Sequence, residues 1–133
     1  VTYLLDTDIS SYLMKRSHPG LIERVRRFVP RELKVSAVTV YELEYGARRS
    51  ARCEEIRRVI AAFLENVEVL AFDAAAARQA GAIRADLAAT GNLIGSYDLL
   101  IAGHARSLGA TLVTNNVREF SRVDDLQIEN WAL

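Results

Sequence analysis

This 133-residue chain has little cysteine, proline or lysine: one Cys, two Pro and two Lys. The lone Cys53 cannot form an internal disulfide, which excludes a disulfide scaffold and points to a reducing, cytoplasmic setting. The prolines, Pro19 and Pro30, both lie in the first quarter, and no low-complexity tract or repeat divides the remainder, so residues 1–133 read as one domain. No apolar run approaches the ~20 residues a bilayer span requires, and the opening VTYLLDTD meets an acid at Asp6 too soon for a signal peptide. No sign of charge prevails either. Seventeen basic residues face seventeen acidic ones, which excludes a uniformly basic nucleic-acid binder. The balance is uneven along the chain, because residues 1–60 carry twelve Lys/Arg against eight Asp/Glu and residues 61–133 carry five against nine.

Half of the residues are hydrophobic, ordinary globular composition. Their spacing predicts strands at Thr2–Leu5, Leu33–Val38, Val67–Phe72 and Thr111–Thr114, with the tail around Ile128 as a candidate edge strand. Helices are expected over Ile9–Met14 with Asp8 as N-cap, after Pro19 through Leu21, Val25, Phe28 and Val29, and from Thr39 through Tyr45. Further helices follow at Glu54–Leu64, from Asp73 as cap to Leu87, and over Tyr97–Leu108, closed by Gly109. Strands alternating with helices predict an α/β fold, with a mostly parallel central sheet covered by helices on both faces. In such sheets the functional crevice lies beyond the carboxyl ends of the strands.

Acidic and amide side chains gather at those ends. Asp6 follows the apolar strand YLL, where a carboxylate is costly unless it faces a crevice and finds a partner. Thr114-Asn115-Asn116 holds the equivalent edge of TLV, Glu42 lies one turn into its helix, and Asp98 lies in the first turn of another. Oxygen donors of this kind suit Mg²⁺ or Mn²⁺ rather than zinc. Each also has a structural reading. Thr39-Val40-Tyr41-Glu42 matches a capping box, a helix N-terminus favours Asp98, Asp8 suits a cap, and the asparagines suit a turn. Asp6 alone has no such alternative.

The segments YLLDTDI, VSAVTVYELEYGA, GSYDLLIAGHARSLGATLVTNN and VREF resemble PIN-domain ribonucleases in type, order and spacing, most of all the VapC-like toxins of bacterial toxin–antitoxin pairs. The likeness extends over nearly the whole chain, including DAAAARQAGAIRADL and the ending IENW. It implies a PIN-like three-layer sandwich whose acidic pocket binds one or two divalent metals and cuts single-stranded or looped RNA. It implies catalytic roles for Asp6, Glu42, Asp98 and Asn116, with Thr114 in support. Asn116 stands where many relatives have a fourth acid, and Asp8 replaces a more usual asparagine. The resemblance further implies a VapB-like antitoxin obstructing the pocket, and a homodimer.

On this reading Asp6 and Asp98 hold Mg²⁺ or Mn²⁺ directly, and Glu42 acts through water. Asn116 supplies an uncharged oxygen, which leaves the pocket one charge poorer than a four-acid site and a second metal more weakly held. His104 is expected on a helix surface or packed locally, and Cys53 outside the chemistry. Fifteen of the seventeen basic residues are arginines, suited to gripping phosphate. Arg49, on the same helix face as Glu42, and the cluster Arg24, Arg26 and Arg27 are candidate RNA contacts, with a solvated surface as the alternative. Ile56, Ile60 and Phe63 could line a groove for a partner helix or simply fill the core. Two rival functions remain. One is a PIN-like module that binds RNA or antitoxin without cutting. The other is a haloacid-dehalogenase-type phosphatase, which shares the DxD of LLDTDIS but needs a downstream lysine and a paired acid after a further strand, whereas Lys15 and Lys34 both lie early and Asp124-Asp125 has no apolar strand just before it.

Overall fold

The computed structural model describes residues 1–133. The chain opens with β1 (Tyr3–Leu5), α1 (Thr7–Lys15) and α2 (Pro19–Val25), then a 3-10 turn at Pro30–Glu32, β2 (Leu33–Ser36) and α3 (Ala37–Arg48). It continues through α4 (Cys53–Leu64), β3 (Glu68–Leu70), α5 (Ala74–Ala89), α6 (Ser96–Leu108), β4 (Thr111–Val113), α7 (Val117–Phe120) and β5 (Gln127–Glu129). The strands form one sheet in the order β3-β2-β1-β4-β5, and every neighbouring pair is parallel. The expected mostly parallel sheet is therefore wholly parallel, and the tail strand is real.

Alternation along β1 explains the layering. Successive strand residues point to opposite faces, yet Leu4 and Leu5 are both fully buried. Leu4 packs with Ile83, Ile101, Leu112 and Phe120 beneath α5 and α6. Leu5 packs with Ile9, Leu21, Val35 and Trp131 beneath α1 and α2. A strand covered on both faces needs two helical layers, which is the α/β sandwich expected. α5 and α6 meet closely because position 103 is glycine: a Cβ there would overlap the backbone of Ala80. Gly109 closes α6 in the left-handed region at φ 62°, and its amide bonds back to Arg106.

Several boundaries move. α1 begins two residues before the expected Ile9, because its N-cap is Asp6 and not Asp8. α3 begins at Ala37, capped by the Ser36 hydroxyl accepting from the Val38 amide, so the strand before it ends at Ser36 rather than Val38. α2 stops at Val25, and Phe28 packs on the core from the following turn. No helix is long and apolar enough to cross a membrane.

Strand order positions the site. From β1 the chain moves outward to β2 and β3, then returns to the other side of β1 for β4 and β5. The crossover direction reverses between β1 and β4, and beyond their carboxyl ends the sheet leaves a crevice. Leu5 is in register with Val113, so Asp6 and Thr114 are the next residues of adjacent strands.

Candidate active site

Asp6 extends the β1–β4 ladder by one bond, its amide donating to the Val113 carbonyl at 3.1 Å. The side chain turns into the N-terminus of α1, where Oδ1 accepts from the Ile9 amide at 2.9 Å. Asp6, read from sequence as the one acid without a structural role, thus has one as a cap, and Asp8 does not. Capping does not account for its electrostatics. Asp6 is 3% exposed, and burial raises its pKa from 3.8 to about 7. The Thr114 hydroxyl and the Ile9 amide pull the other way, while the charges of Asp8 and Asp98 add to the rise. A carboxylate kept at such cost beside other acids marks a site, because no structural need requires the charge.

Glu42 is not part of a capping box. Ser36 caps α3, which puts Thr39 inside the helix, fully buried. The Thr39 hydroxyl lies 3.0 Å from that of Thr7, and Thr7 Oγ1 donates to Glu42 Oε1 at 2.7 Å. Because Thr7 gives its single hydroxyl hydrogen to Glu42, the first bond runs from Thr39 to Thr7. This chain of hydroxyls fixes one oxygen of Glu42 and leaves the other uncommitted. Burial raises the Glu42 pKa, Thr7 opposes the rise, and Asp8 adds to it.

Asp98 enters in the first turn of α6. A Cβ on Gly95 would lie 3.1 Å from Asp98 Oδ2, so the glycine leaves that oxygen unobstructed. The helix dipole should favour the charged form, yet Asp98 is raised to about 6, by burial first and then by Glu119, Glu42 and Asp8. Glu119 carries no site signal in the sequence. It follows Asn116 at helical spacing on α7, and it accepts a hydrogen bond from Asn116 Nδ2. Glu119 thus places a carboxylate beside Asn116 and adds its charge to Asp98. Asp8, whose role had been open, adds its charge to Asp6, Glu42 and Asp98 alike. Thr114 is fully buried and accepts from the Asn116 amide at 2.9 Å.

Asp6, Glu42 and Asp98 thus face one region, although no three His, Cys, Asp or Glu side chains stand close enough to form a ready-made metal cage. The donor set still fits a hard cation that keeps much of its water. Mg²⁺ is commonly held by one or two carboxylates plus water and substrate phosphate rather than by an all-protein cage. Among the charges that act on Asp6, Glu42 and Asp98, all are negative. A divalent cation would supply the missing positive charge, with Asp6 and Asp98 as direct holders and Glu42 acting through water.

Other candidates lie outside this cluster. His104 is not on the surface: it is 2% exposed, its Nδ1 lies 2.8 Å from Ser36 Oγ, and its ring meets the edge of Phe72. It joins α6 to the capped start of α3, and burial lowers its pKa. Arg24 is engaged with Glu129 at 3.2 Å and stacks over Trp131, a structural assignment at the C-terminal strand. Arg26 reaches Glu23 at 3.9 Å, whereas Arg27 is exposed. Arg49 lies over the Tyr45 ring at 5.3 Å. Of the groove candidates, Ile60 is buried, while Phe63 lines an apolar groove of about 470 Å³ with Leu13, Ile22, Val25 and Phe28. The phosphatase reading lacks its cation, because Lys34 is paired with Glu68 at 2.9 Å on β3.

Comparison with known proteins shows the family over nearly the whole chain. The PIN domain family matches residues 3–126. The chain is 43% identical over 130 residues to the tRNA(fMet)-specific endonuclease VapC of Shigella flexneri, covering 98% of each chain. It is equally 43% identical over 130 residues to ribonuclease VapC2 of Haemophilus influenzae, again covering 98% of each. Its fold matches DNA-bound VapBC from Salmonella typhimurium with a TM-score of 0.93 at 40% identity, covering 98% of both chains.

Proposed function

The chain belongs to the PIN-domain family, and on that premise we propose that it is a VapC-type endoribonuclease toxin that depends on Mg²⁺ or Mn²⁺ and is held in check by a VapB-like antitoxin. One observation carries the reading. Asp6, buried at the switch point of the sheet, is raised to a pKa of about 7 by burial, with the charges of Asp8 and Asp98 contributing to the rise.

A bound divalent cation acidifies water and stabilises charge on the phosphate and the departing oxygen. The residues of the chain do the rest. Asp6 and Asp98 supply the negative charge that retains the cation, and the Ile9 amide and Thr114 hydroxyl hold Asp6 in place. Glu42, with one oxygen fixed by Thr7, has the other free to orient the attacking water and receive its proton. Asn116, tied to Glu119, offers its carbonyl oxygen to a water. An acidic pocket repels RNA, so affinity must come from cations around it, and Arg49 and Arg27 remain the candidates with no acidic partner in the fold.

The apolar groove between α1, α2 and α4, edged by Arg16 and Arg26, fits an amphipathic helix of the antitoxin with acids along its rim. The resemblance carries the expectation of a C₂ homodimer, which light scattering checks. Incubation with RNA separates cutting from binding. The proposal requires products that appear with Mg²⁺ or Mn²⁺ and vanish with EDTA, whereas a gel shift without products under all three conditions would establish the non-catalytic module.

A further inference from the structure

One buried titratable side chain has no part in the chemistry described so far. His104 sits on α6 among Ile101, Ala102 and Ala105, all fully buried, and is itself 2% exposed. A leucine would fill such a place without stripping water from an imidazole. A polar group kept in an apolar core fixes one arrangement of its partners when its hydrogen bonds are met. Here the partner is Ser36, whose Oγ lies 2.8 Å from His104 Nδ1. That oxygen already accepts from the Val38 amide at 3.1 Å, which leaves the hydroxyl hydrogen for Nδ1. From the turn between β3 and α5, Phe72 meets the ring edge-on and Asp73 acts on it with its charge. Asp73, His104 and Ser36 are the residue types of a nucleophilic triad. Ser36, however, is fully buried and caps α3, so no substrate reaches it. The cluster is a joint.

The place of the joint gives it a task. Ser36 precedes Glu42 by six residues, and Asp98 precedes His104 by six, about 9 Å along each helix axis. The two helices therefore meet at the His104–Ser36 bond and carry their acids at equal distances from it. Beside the acids a second bond, between the Tyr41 and Tyr97 hydroxyls at 2.7 Å, closes the frame. α6 is also held independently. Gly103 lets it lie on the Ala80 backbone of α5, and Leu99, Ile101, Ala102 and Ala105 share a core with Leu4 of β1. α3 adds only Val38 to that hydrophobic core, while its Leu43 and Ala47 pack with Ile60 of α4. Of the two helices, α3 is the one whose place depends on the joint.

We propose that His104 is a positioning residue for the hydrolysis: through Ser36 it sets the start of α3, and hence the distance of Glu42 from Asp98. The proposal rests on the ribonuclease reading and adds to it a residue that touches neither RNA nor metal. Without the joint Glu42 leaves the attacking water, while Asp6 and Asp98 keep their places. A misplacement of about 1 Å at a reacting group can lower a rate about 100-fold.

The test uses His104→Leu, which removes the bond and keeps the bulk, and His104→Asn, which returns a polar atom to the place of Nδ1. RNA cleavage in Mn²⁺ at pH 8 should fall about 10- to 100-fold in kcat for His104→Leu, with KM and Mn²⁺ affinity unchanged, and recover with Asn. In a Glu42→Gln background, His104→Leu should lower the rate by less than about twofold more, because both substitutions act on one step. Metal-free protein labelled with ¹³C at its carboxyl groups supplies a readout without turnover. The Glu42 Cδ resonance should move in His104→Leu and return in His104→Asn, with the Asp6 resonance unmoved throughout. Ser36→Ala breaks the same bond from the other side and should repeat the pattern, so the test does not depend on the folding of one variant. Full kcat in either bond-breaking variant, an additive loss on Glu42→Gln, or an unmoved Glu42 resonance would overturn the proposal. Absent cleavage by the wild type rejects the ribonuclease itself, whereas those three outcomes reject the joint alone.

Discussion

Replacing Asp6 by Asn should make the metal-free protein more stable while abolishing its activity. The carboxyl pKa rises from 3.8 to about 7 on folding, chiefly through burial. Above pH 7 the folded state therefore carries a charge that it disfavours by roughly three pH units, each worth about 1.4 kcal/mol, or about 4 kcal/mol in all. The sign follows from proton binding. Between about pH 4 and 7 the folded protein holds a proton that the unfolded chain has released, so this group's contribution to stability is full below pH 4 and lost as pH rises towards 7. Asn keeps the shape, accepts the Ile9 amide bond as well as Asp does, and carries no charge. Loss of the cap, the competing effect, would cost about 0.5–2 kcal/mol if the cap were removed altogether. Urea unfolding at pH 8 in EDTA should show Asp6→Asn more stable by up to about 4 kcal/mol, equivalent to a rise in Tm of up to roughly 15 °C. The gap should close at pH 4, where Asp6 is itself neutral. A variant less stable than wild type at pH 8 in EDTA would refute the reasoning and leave Asp6 as an ordinary cap.

Other consequences follow from single contacts. Thr7→Val removes the bond to Glu42 Oε1 and should lower cleavage about 10- to 100-fold, as loss of a group that orients a ligand does, with melting little changed; Thr7→Ser should restore the rate. Gly103→Ala forces a methyl group into the backbone of Ala80 and should destabilise by about 1–3 kcal/mol in urea titration. His104 is neutral in the fold because burial lowers its pKa, so its contribution to stability is present above the ordinary value of 6.5 and is lost as pH falls below it. Replacement of His104 by Leu should flatten that acid limb of the unfolding profile, the opposite slope from the one Asp6 imposes.

Periodicity and punctuation carried most of the architecture. The apolar strand YLL, the Gly109 terminus and the Asp73 cap all read directly from residue type, and each recurs in the fold. Helix starts were harder, because Asp6, Asp8, Ser36 and Thr39 are all competent caps and only tertiary packing selects among them. Burial of Thr39 against Thr7 decided the case of α3. The short α7 and the 3-10 turn have too few residues to show a period. At the site, Asp6, Glu42 and Asp98 were legible through order and spacing, whereas Glu119 was not, since one acid in a four-residue helix carries no pattern of its own. Of the two settings open to His104, a helix surface or local packing, the fold takes the second: the whole AGHA stretch of α6 is buried, and nothing local in the sequence distinguishes that from an exposed face.

Mn²⁺ binding, followed by calorimetry on the wild type and on Asp6→Asn, Asp98→Asn and Glu42→Gln, tests most directly whether distant acids converge on one hard cation. The expected result is saturable binding by the wild type, weakened at least about tenfold by either aspartate substitution and less by Glu42→Gln. Undiminished Mn²⁺ affinity in both aspartate variants would contradict it.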